Sequence, residues 1–174
     1  MKSAISATLL SMLALAGCAT TGASEYAAEA SAESQQMSAS RREALNARIA
    51  YYARTYQVPE SLVHAVVHRE SKYNPSLRHG PYWGLMQIRH DTARSMGYAG
   101  AANGLLDPDT NLTYAVAYLA NAYKVAGGDE KRAIKLYAGG YYYEAKRQGI
   151  LGELHSATSP HEIVTASSEV ESAK

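Results

Sequence analysis

Apolar residues recur every three or four positions through the middle of this chain, which is the spacing of one helix face. Pro or Gly residues separate three such stripes. A run of alternating apolar and polar residues, which would predict a large sheet, is missing, and only residues 82–88 are expected to form a short strand or an irregular loop. The sequence therefore predicts an all-α, or mainly helical α+β, single domain. The stripes are Leu45, Ile49, Tyr52, Ala53 and Tyr56; Leu62, Val63, Val66 and Val67; and Leu112, Ala115, Val116, Leu119 and Tyr123.

Residues with strong positional preferences mark the predicted helix starts. Ser40 followed by Glu43 matches a capping box ahead of the first stripe. Pro59 suits the first turn of a second helix. Asp107, which precedes a proline, and Asp129 are expected to cap two further helices with their carboxylates.

The first 17 residues have the composition of a secretory signal. Lys2 is their single charge, and the apolar run that follows is too short to span a membrane. They end in Leu-Ala-Gly before Cys18, which resembles the lipobox of bacterial lipoproteins, where the cysteine thiol carries a diacylglycerol. The alternative is an ordinary signal peptide that leaves a free thiol. Cys18 is the one cysteine of the chain, so an intrachain disulfide is excluded.

The composition of the ends differs from that of the middle. Residues 19–37 are mostly Ala, Ser, Thr, Gly and Glu, which bury too little surface to offset the entropy of ordering. We therefore expect a signal peptide over 1–17, a lipidated Cys18 with a flexible tether over 18–39, a catalytic domain over 40–154 and a flexible tail over 155–174. The net charge of +1, from 17 basic and 16 acidic residues, argues against a nucleic-acid partner.

Glu70 is the residue whose position in the sequence is hardest to explain by a purely structural role. It follows Val63 and Val67 at spacings of seven and three, so it shares their apolar helix face. A carboxylate there has either a raised pKa or a charged partner. The alternative is a surface carboxylate at the helix end, paired with Arg69 or Lys72.

Four motifs occur in a fixed order along residues 58–149. They start at Glu70 (Glu-Ser-Lys-Tyr-Asn-Pro), Gly84 (Gly-Leu-Met-Gln-Ile), Asp107 (Asp-Pro-Asp-Thr-Asn) and Tyr137 (Tyr-Ala-Gly-Gly). Each motif alone is weak or moderate, but the ordered set resembles the soluble lytic transglycosylases and goose-type lysozymes. The resemblance implies a lysozyme-like helical fold around a glycan-binding groove.

The same resemblance implies site residues and a reaction. Glu70 would be the catalytic acid and base, with Tyr137 hydrogen-bonded to it. Met86 and Gln87 would line the subsite beside the scissile bond, and Ser71 would steady the acid or the peptide side of the substrate. The expected reaction cleaves the bond between N-acetylmuramic acid and N-acetylglucosamine in peptidoglycan without water, and leaves 1,6-anhydromuramic acid ends. No cofactor and no metal is implied.

Two departures accompany the resemblance. Ala138 stands where the family has Asn, so the role of that Asn is in doubt here. Trp83, the one tryptophan, lies in the loop before the second motif and could stack on a sugar or fill the core. His64 and His68 have a zinc-binding spacing, but no third ligand is evident, so we predict no metal site.

Two other functions remain open at this stage. A hydrolytic muramidase would need a second working carboxylate, for which Asp91, Asp107 and Asp109 are the nearest candidates. Asp107 and Asp109 are expected to start a helix instead, and Asp91 could cap one. The other alternative is a non-catalytic peptidoglycan-binding lipoprotein. The expected partners are glycan strands and, through the lipid anchor, the periplasmic face of the outer membrane; the sequence names no protein partner.

Overall fold

The computed structural model describes residues 21–154 and 156–157, with side chains from residue 31 onward. The predicted signal peptide, Cys18 and nearly all of the predicted tail lie outside the described residues. Chain contacts divide the protein into two compact units, Met1–Arg42 and Glu43–Lys174. The boundaries predicted from composition stay predictions.

Helix α1 covers Thr21–Thr55. The structure thus differs from the flexible tether expected over 18–39, because residues 21–39 are already helical. Side chains 31–44 are all exposed, so the high helix propensity of Ala, Glu and Gln, rather than burial, explains this part of the helix. Ser40 lies inside α1, so the predicted helix start at a capping box there is wrong.

The second unit contains the remaining elements and is mainly helical, as predicted. Its short strands form one antiparallel sheet in the order β1-β2-β3; β2 and the start of β3 lie in residues 82–88, where a strand or loop was expected, whereas β1 lies before that segment. Among the described residues, no helix is both long and apolar enough to cross a membrane. The helices are α2 (Glu60–Ser71), α3 (His90–Ser95), α4 (Pro108–Val125), α5 (Glu130–Gly139) and α6 (Tyr142–Gln148), with 3₁₀ turns at Ala102–Leu106 and Leu151–Glu153; the strands are β1 (Arg78–His79), β2 (Tyr82–Trp83) and β3 (Ile88–Arg89).

The predicted stripes form the core of the second unit. α4 lies at its centre and packs against α5. Burial of these side chains fixes α2 and the small sheet against one another, since both contribute to the same cluster. The fully buried members include Ile49, Leu62, Val63, Val67, Leu85, Leu112, Val116 and Leu119.

Two predicted helix caps are confirmed. The Asp107 carboxylate accepts hydrogen bonds from the main-chain N–H and the hydroxyl of Thr110, both at 2.8 Å. The Asp129 carboxylate accepts from the Arg132 N–H at 2.8 Å. Helix α6, in contrast, was not predicted, because its apolar stripe is too short to show a period.

Helix α2 ends in a turn with unusual backbone conformations. It stops at Ser71, and both Lys72 and Tyr73 adopt left-handed conformations, with φ of 51° and 66°. Such conformations are costly for residues other than glycine. The turn redirects the chain directly after Glu70 and leads it into β1.

Candidate active site

Glu70 lies in the last turn of α2, with 25% of its side chain exposed. Burial raises the pKa of this carboxyl above its usual value, and the nearby Arg69 opposes that rise. The Arg69 Nε atom lies 3.5 Å from Glu70 Oε1. The burial and the charged partner that the sequence offered as alternatives are therefore both present, and burial has the larger effect on the pKa of Glu70.

Two adjacent cavities line the surface around Glu70. The first, which we call the acid cavity, has a volume of about 290 Å³ and is lined by Glu70, Leu77, His79, Tyr82 and Gln87. The second, the distal cavity, has a volume of about 280 Å³ and shares Tyr82 and Gln87 with the first. Because the two cavities share these walls, they lie side by side, and we refer to them together as the groove. The distal cavity is also lined by Ile88, Arg89, Thr92, Tyr118, Tyr137, Ala138, Gly139 and Gly140.

The turn at residues 84–87 builds the wall between the cavities, and Asn111 holds it. The Asn111 Oδ1 accepts from the Met86 N–H at 2.9 Å. Its Nδ2 donates to the carbonyls of Trp83 and Leu105, both at 2.8 Å. A fully buried amide thus satisfies three main-chain groups at once.

Gln87 completes this turn and faces both cavities. Its backbone is left-handed, with φ of 48°. The side-chain Nε2 donates to the carbonyls of Leu77 at 2.9 Å and Gly84 at 2.8 Å. These bonds fix the amide in the wall of the groove, and its place in a subsite beside the scissile bond stays a prediction.

Met86 and Ser71 do not reach the groove with their side chains. Met86 is fully buried in the core, so the expectation that its side chain lines a subsite is wrong. In this turn the Met86 side chain enters the core, whereas Gln87, although also largely buried, lines both cavities. Ser71 is also buried, and its hydroxyl donates to the Val67 carbonyl at 3.2 Å, one helical turn back. The hydroxyl of Ser71 was expected to steady the acid or the substrate, but its hydrogen-bond partner is this main-chain carbonyl.

Tyr137 lies in the groove, but its hydrogen bond differs from the expected one. The hydroxyl donates to the Met86 carbonyl at 2.9 Å, not to the Glu70 carboxylate. Burial raises the pKa of Tyr137 well above its usual value, and the charge of Glu70 adds to that rise. Tyr137 therefore lies close enough to sense Glu70 while it supports the turn at residues 84–87.

The other candidate carboxylates are engaged elsewhere. Asp107 caps α4, as described above, and Asp109 accepts from the Arg48 Nε at 3.1 Å. Asp91 is bound by Arg89, with Nη2 to Oδ2 at 2.7 Å. Of the residues that line the acid cavity, only Glu70 carries a carboxylate.

Trp83 and the histidines of α2 have structural partners. Trp83 packs against the core, with the Arg78 guanidinium 4.4 Å from its ring centre, which favours the core alternative over sugar stacking. His64 Nδ1 lies 3.1 Å from the Tyr73 hydroxyl. Within residues 21–154 and 156–157, no group of three or more His, Cys, Asp or Glu side chains is arranged to hold a metal ion.

Sequence reasoning missed Asn111 and three groove residues. The Asp-Pro-Asp-Thr-Asn motif contains Asn111, but the motif was interpreted as a helix start alone. His79, Tyr82 and Arg89 come from three different strands of two residues each, and only the sheet register brings them together. Strands this short leave no periodic signal in a sequence.

The described residues form a mainly helical fold with a groove whose acid cavity is lined by a single, partly buried carboxylate, and this is the class of protein to which the comparisons also point. The family model described as the transglycosylase SLT domain matches residues 48–154. The chain belongs to this family.

Curated relatives match a shorter stretch. Proteins named membrane-bound lytic murein transglycosylase C, from Salmonella arizonae and Salmonella typhi, are 41% identical over 76 residues. The protein of the same name from Klebsiella pneumoniae is 40% identical over 76 residues. Each match covers 39% of this chain and 21% of the relative, so the chain spans about a fifth of the length of these relatives. No solved structure matches the chain.

Proposed function

We propose that this protein is a peptidoglycan lytic transglycosylase with Glu70 as its one catalytic acid and base. The observation that carries the proposal is the position of Glu70, a mostly buried carboxyl with a raised pKa at the wall of a groove. A raised pKa shifts the carboxyl towards the protonated form, which is the form that a general acid requires. Membership of the SLT family and the printed names of the relatives support the same reaction class.

In the proposed reaction, Glu70 acts twice. The protonated carboxyl first donates its proton to the oxygen that joins C1 of N-acetylmuramic acid to N-acetylglucosamine, and the C1–O bond breaks. The acetamido group of the muramic acid stabilises the positive charge that forms at C1. Ionised Glu70 then takes the proton of the C6 hydroxyl on the same sugar, whose oxygen bonds to C1. The product is a 1,6-anhydro ring, no water is consumed, and Glu70 is protonated again.

The groove supports a mechanism with one carboxylate. A hydrolytic route with a second carboxylate would need that group several ångströms from the first across the scissile bond. Among the described residues, the nearest sequence candidates are bound to Thr110, Arg48 and Arg89 instead. Gln87, fixed by its two hydrogen bonds, would contact the sugar beside the bond that is cut.

We also propose that Cys18 carries lipid and anchors the protein at the periplasmic face of the outer membrane. The Leu-Ala-Gly-Cys sequence after an apolar segment supports lipidation. Ala19, rather than Asp, after the cysteine resembles lipoproteins destined for the outer membrane. The relatives are named membrane-bound, which agrees with an anchor. Two or more acyl chains give stable anchoring where one chain is marginal.

The variant Glu70→Gln tests the catalytic assignment. It keeps the shape and hydrogen-bonding capacity of the side chain but cannot donate and recover a proton. Purified wild-type protein should release soluble fragments from isolated cell-wall sacculi, and Glu70→Gln should release less than a tenth as much. A folded Glu70→Gln protein with more than a tenth of wild-type activity would remove Glu70 from the mechanism.

A further inference from the structure

The three strands of the sheet place one residue each in a row along the groove. The register pairs His79 with Tyr82, and Tyr82 with Arg89. Directly paired residues project from the same face of a sheet. This row of His79, Tyr82 and Arg89 lines the groove, with His79 and Tyr82 in the acid cavity and Tyr82 and Arg89 in the distal cavity.

Arg89 is the end of this row that lies away from Glu70. It is two strands from His79, which corresponds to roughly 10 Å across the sheet. A ligand bound to Arg89 would therefore not occupy the position of the bond beside Glu70. It would occupy the distal cavity, where Thr92 and Ala138 are further wall residues.

The guanidinium of Arg89 is held in a fixed orientation. Its Nε donates to Asp91 Oδ1 at 2.9 Å, and its Nη2 donates to Oδ2 at 2.7 Å. Arginine has five N–H donors arranged as a planar fork, and Nη1 is not among those that Asp91 engages. The side chain is about half exposed and also hydrogen-bonds the Tyr82 side chain, so the donors that remain beyond Asp91 and Tyr82 are accessible to a ligand.

We propose that Arg89 binds a carboxylate of the peptide stem of peptidoglycan, and so selects stem-bearing glycan over bare glycan. This inference rests on the proposed function. The glycan itself offers no anion, because the lactyl carboxyl of muramic acid is consumed in the amide bond to the stem. The stem carries free carboxylates, and the arginine fork matches a carboxylate better than it matches a neutral sugar hydroxyl. Ala138, which is small, is another wall residue of the distal cavity.

The test measures binding without cleavage, in protein that carries Glu70→Gln. Soluble glycan fragments of equal length are prepared with intact stems, with stem carboxylates amidated, and with the stems removed. The stem-bearing fragment should bind about tenfold more tightly than either other fragment, as expected for a charge-assisted hydrogen-bonded pair. Adding Arg89→Gln should reduce this preference to less than twofold.

Arg94→Gln, in the same background, is the matched control. Arg94 is exposed on the neighbouring helix α3 and lines neither cavity. Its substitution by Gln removes the same charge as Arg89→Gln does. It should keep the tenfold preference. The proposal is overturned if the preference is absent, if it survives Arg89→Gln, or if Arg94→Gln removes it equally. Circular dichroism verifies that each variant is folded.

Cleavage of sacculi by the wild-type protein separates this proposal from the proposed function. If the wild type releases nothing from sacculi but Arg89→Gln still abolishes the preference, the site stands and the catalytic function fails. If the wild type cleaves and the preference does not depend on Arg89, the catalytic function stands and the site is wrong.

Discussion

The side chain of Asn111 occupies the space in which a side chain at Gly84 would lie. Gly84 has a left-handed backbone, with φ of 71°, and a methyl group added there would overlap the Asn111 amide and the Leu105 carbonyl. The glycine that opens the Gly-Leu-Met-Gln-Ile motif is therefore required by the amide that holds the turn. We expect Gly84→Ala to destabilise the protein by at least about 2 kcal/mol, from strain and displacement of Asn111. Urea unfolding measures this, with Gly152→Ala, where the added methyl meets open space, as control.

Loss of the Asn111 amide should be still more harmful. In Asn111→Ala, the N–H of Met86 and the carbonyls of Trp83 and Leu105 lose their partner. Each unsatisfied buried group costs about 1–3 kcal/mol, so we expect a total loss of about 3 kcal/mol or more. Asn103→Ala, at an exposed position, should change the free energy of unfolding by less than about 0.5 kcal/mol. Equal stability of the two variants would contradict the role of Asn111.

Tyr137→Phe should weaken the same turn from its other side. The variant leaves the Met86 carbonyl without its hydroxyl donor, which we expect to cost about 1 kcal/mol of stability. Turnover should fall severalfold, because the wall beside Glu70 loosens, while glycan binding changes little. Tyr143→Phe, at an 84% exposed tyrosine, is the control. A rate equal to wild type would show that the hydroxyl of Tyr137 has no part in the reaction.

The raised pKa of Glu70 has a consequence for stability. In the folded protein this carboxyl binds its proton more tightly than in the unfolded chain, so the free energy of unfolding falls as pH rises. The fall begins near the unfolded glutamate pKa of about 4.3 and ends above the folded pKa. Glu70→Gln removes this term, so the variant should be more stable than wild type at pH 7, and the difference should shrink towards pH 4. Thermal unfolding across this range measures it. A difference that grows on acidification would contradict the burial of Glu70.

The lipid anchor is tested by fractionation. Wild-type protein should be recovered with outer membranes, and Cys18→Ala should appear in the soluble periplasm or as uncleaved precursor. Intact-mass measurement of the mature wild type should show the added acyl groups. Wild-type protein that is soluble after cell disruption, or whose Cys18 reacts with thiol reagents, would leave the secretory signal and exclude the anchor.

Helices were predictable from this sequence wherever an apolar stripe and a capping residue agreed. Asp107 at the start of α4 is an example, because the cap, the following proline and the buried Leu112 all indicate one helix. The capping signal at Ser40 failed because the preceding residues, rich in Ala and Glu, favour a helix on their own. A capping pattern such as that at Ser40 does not show whether the residues before it have a high helix propensity of their own.

The candidate site was predictable only in part. Burial of Glu70 followed from its spacing with Val63 and Val67, which are fully buried. The actual partners of Tyr137 and Ser71 did not follow, because main-chain carbonyls compete for hydroxyl groups and leave no mark in a sequence. Some residues of the motifs, such as Ser71 and Met86, are therefore buried in the protein and do not line the groove with their side chains.

The masses of the fragments released from sacculi test the account most directly. If Glu70 acts alone and the C6 hydroxyl closes on C1, every new muramic acid end should be a 1,6-anhydro ring, one water lighter than a reducing end. Digestion in ¹⁸O-labelled water should then leave the label out of the products. New ends that are heavier by one water and carry the label would show hydrolysis and contradict the mechanism with one carboxylate.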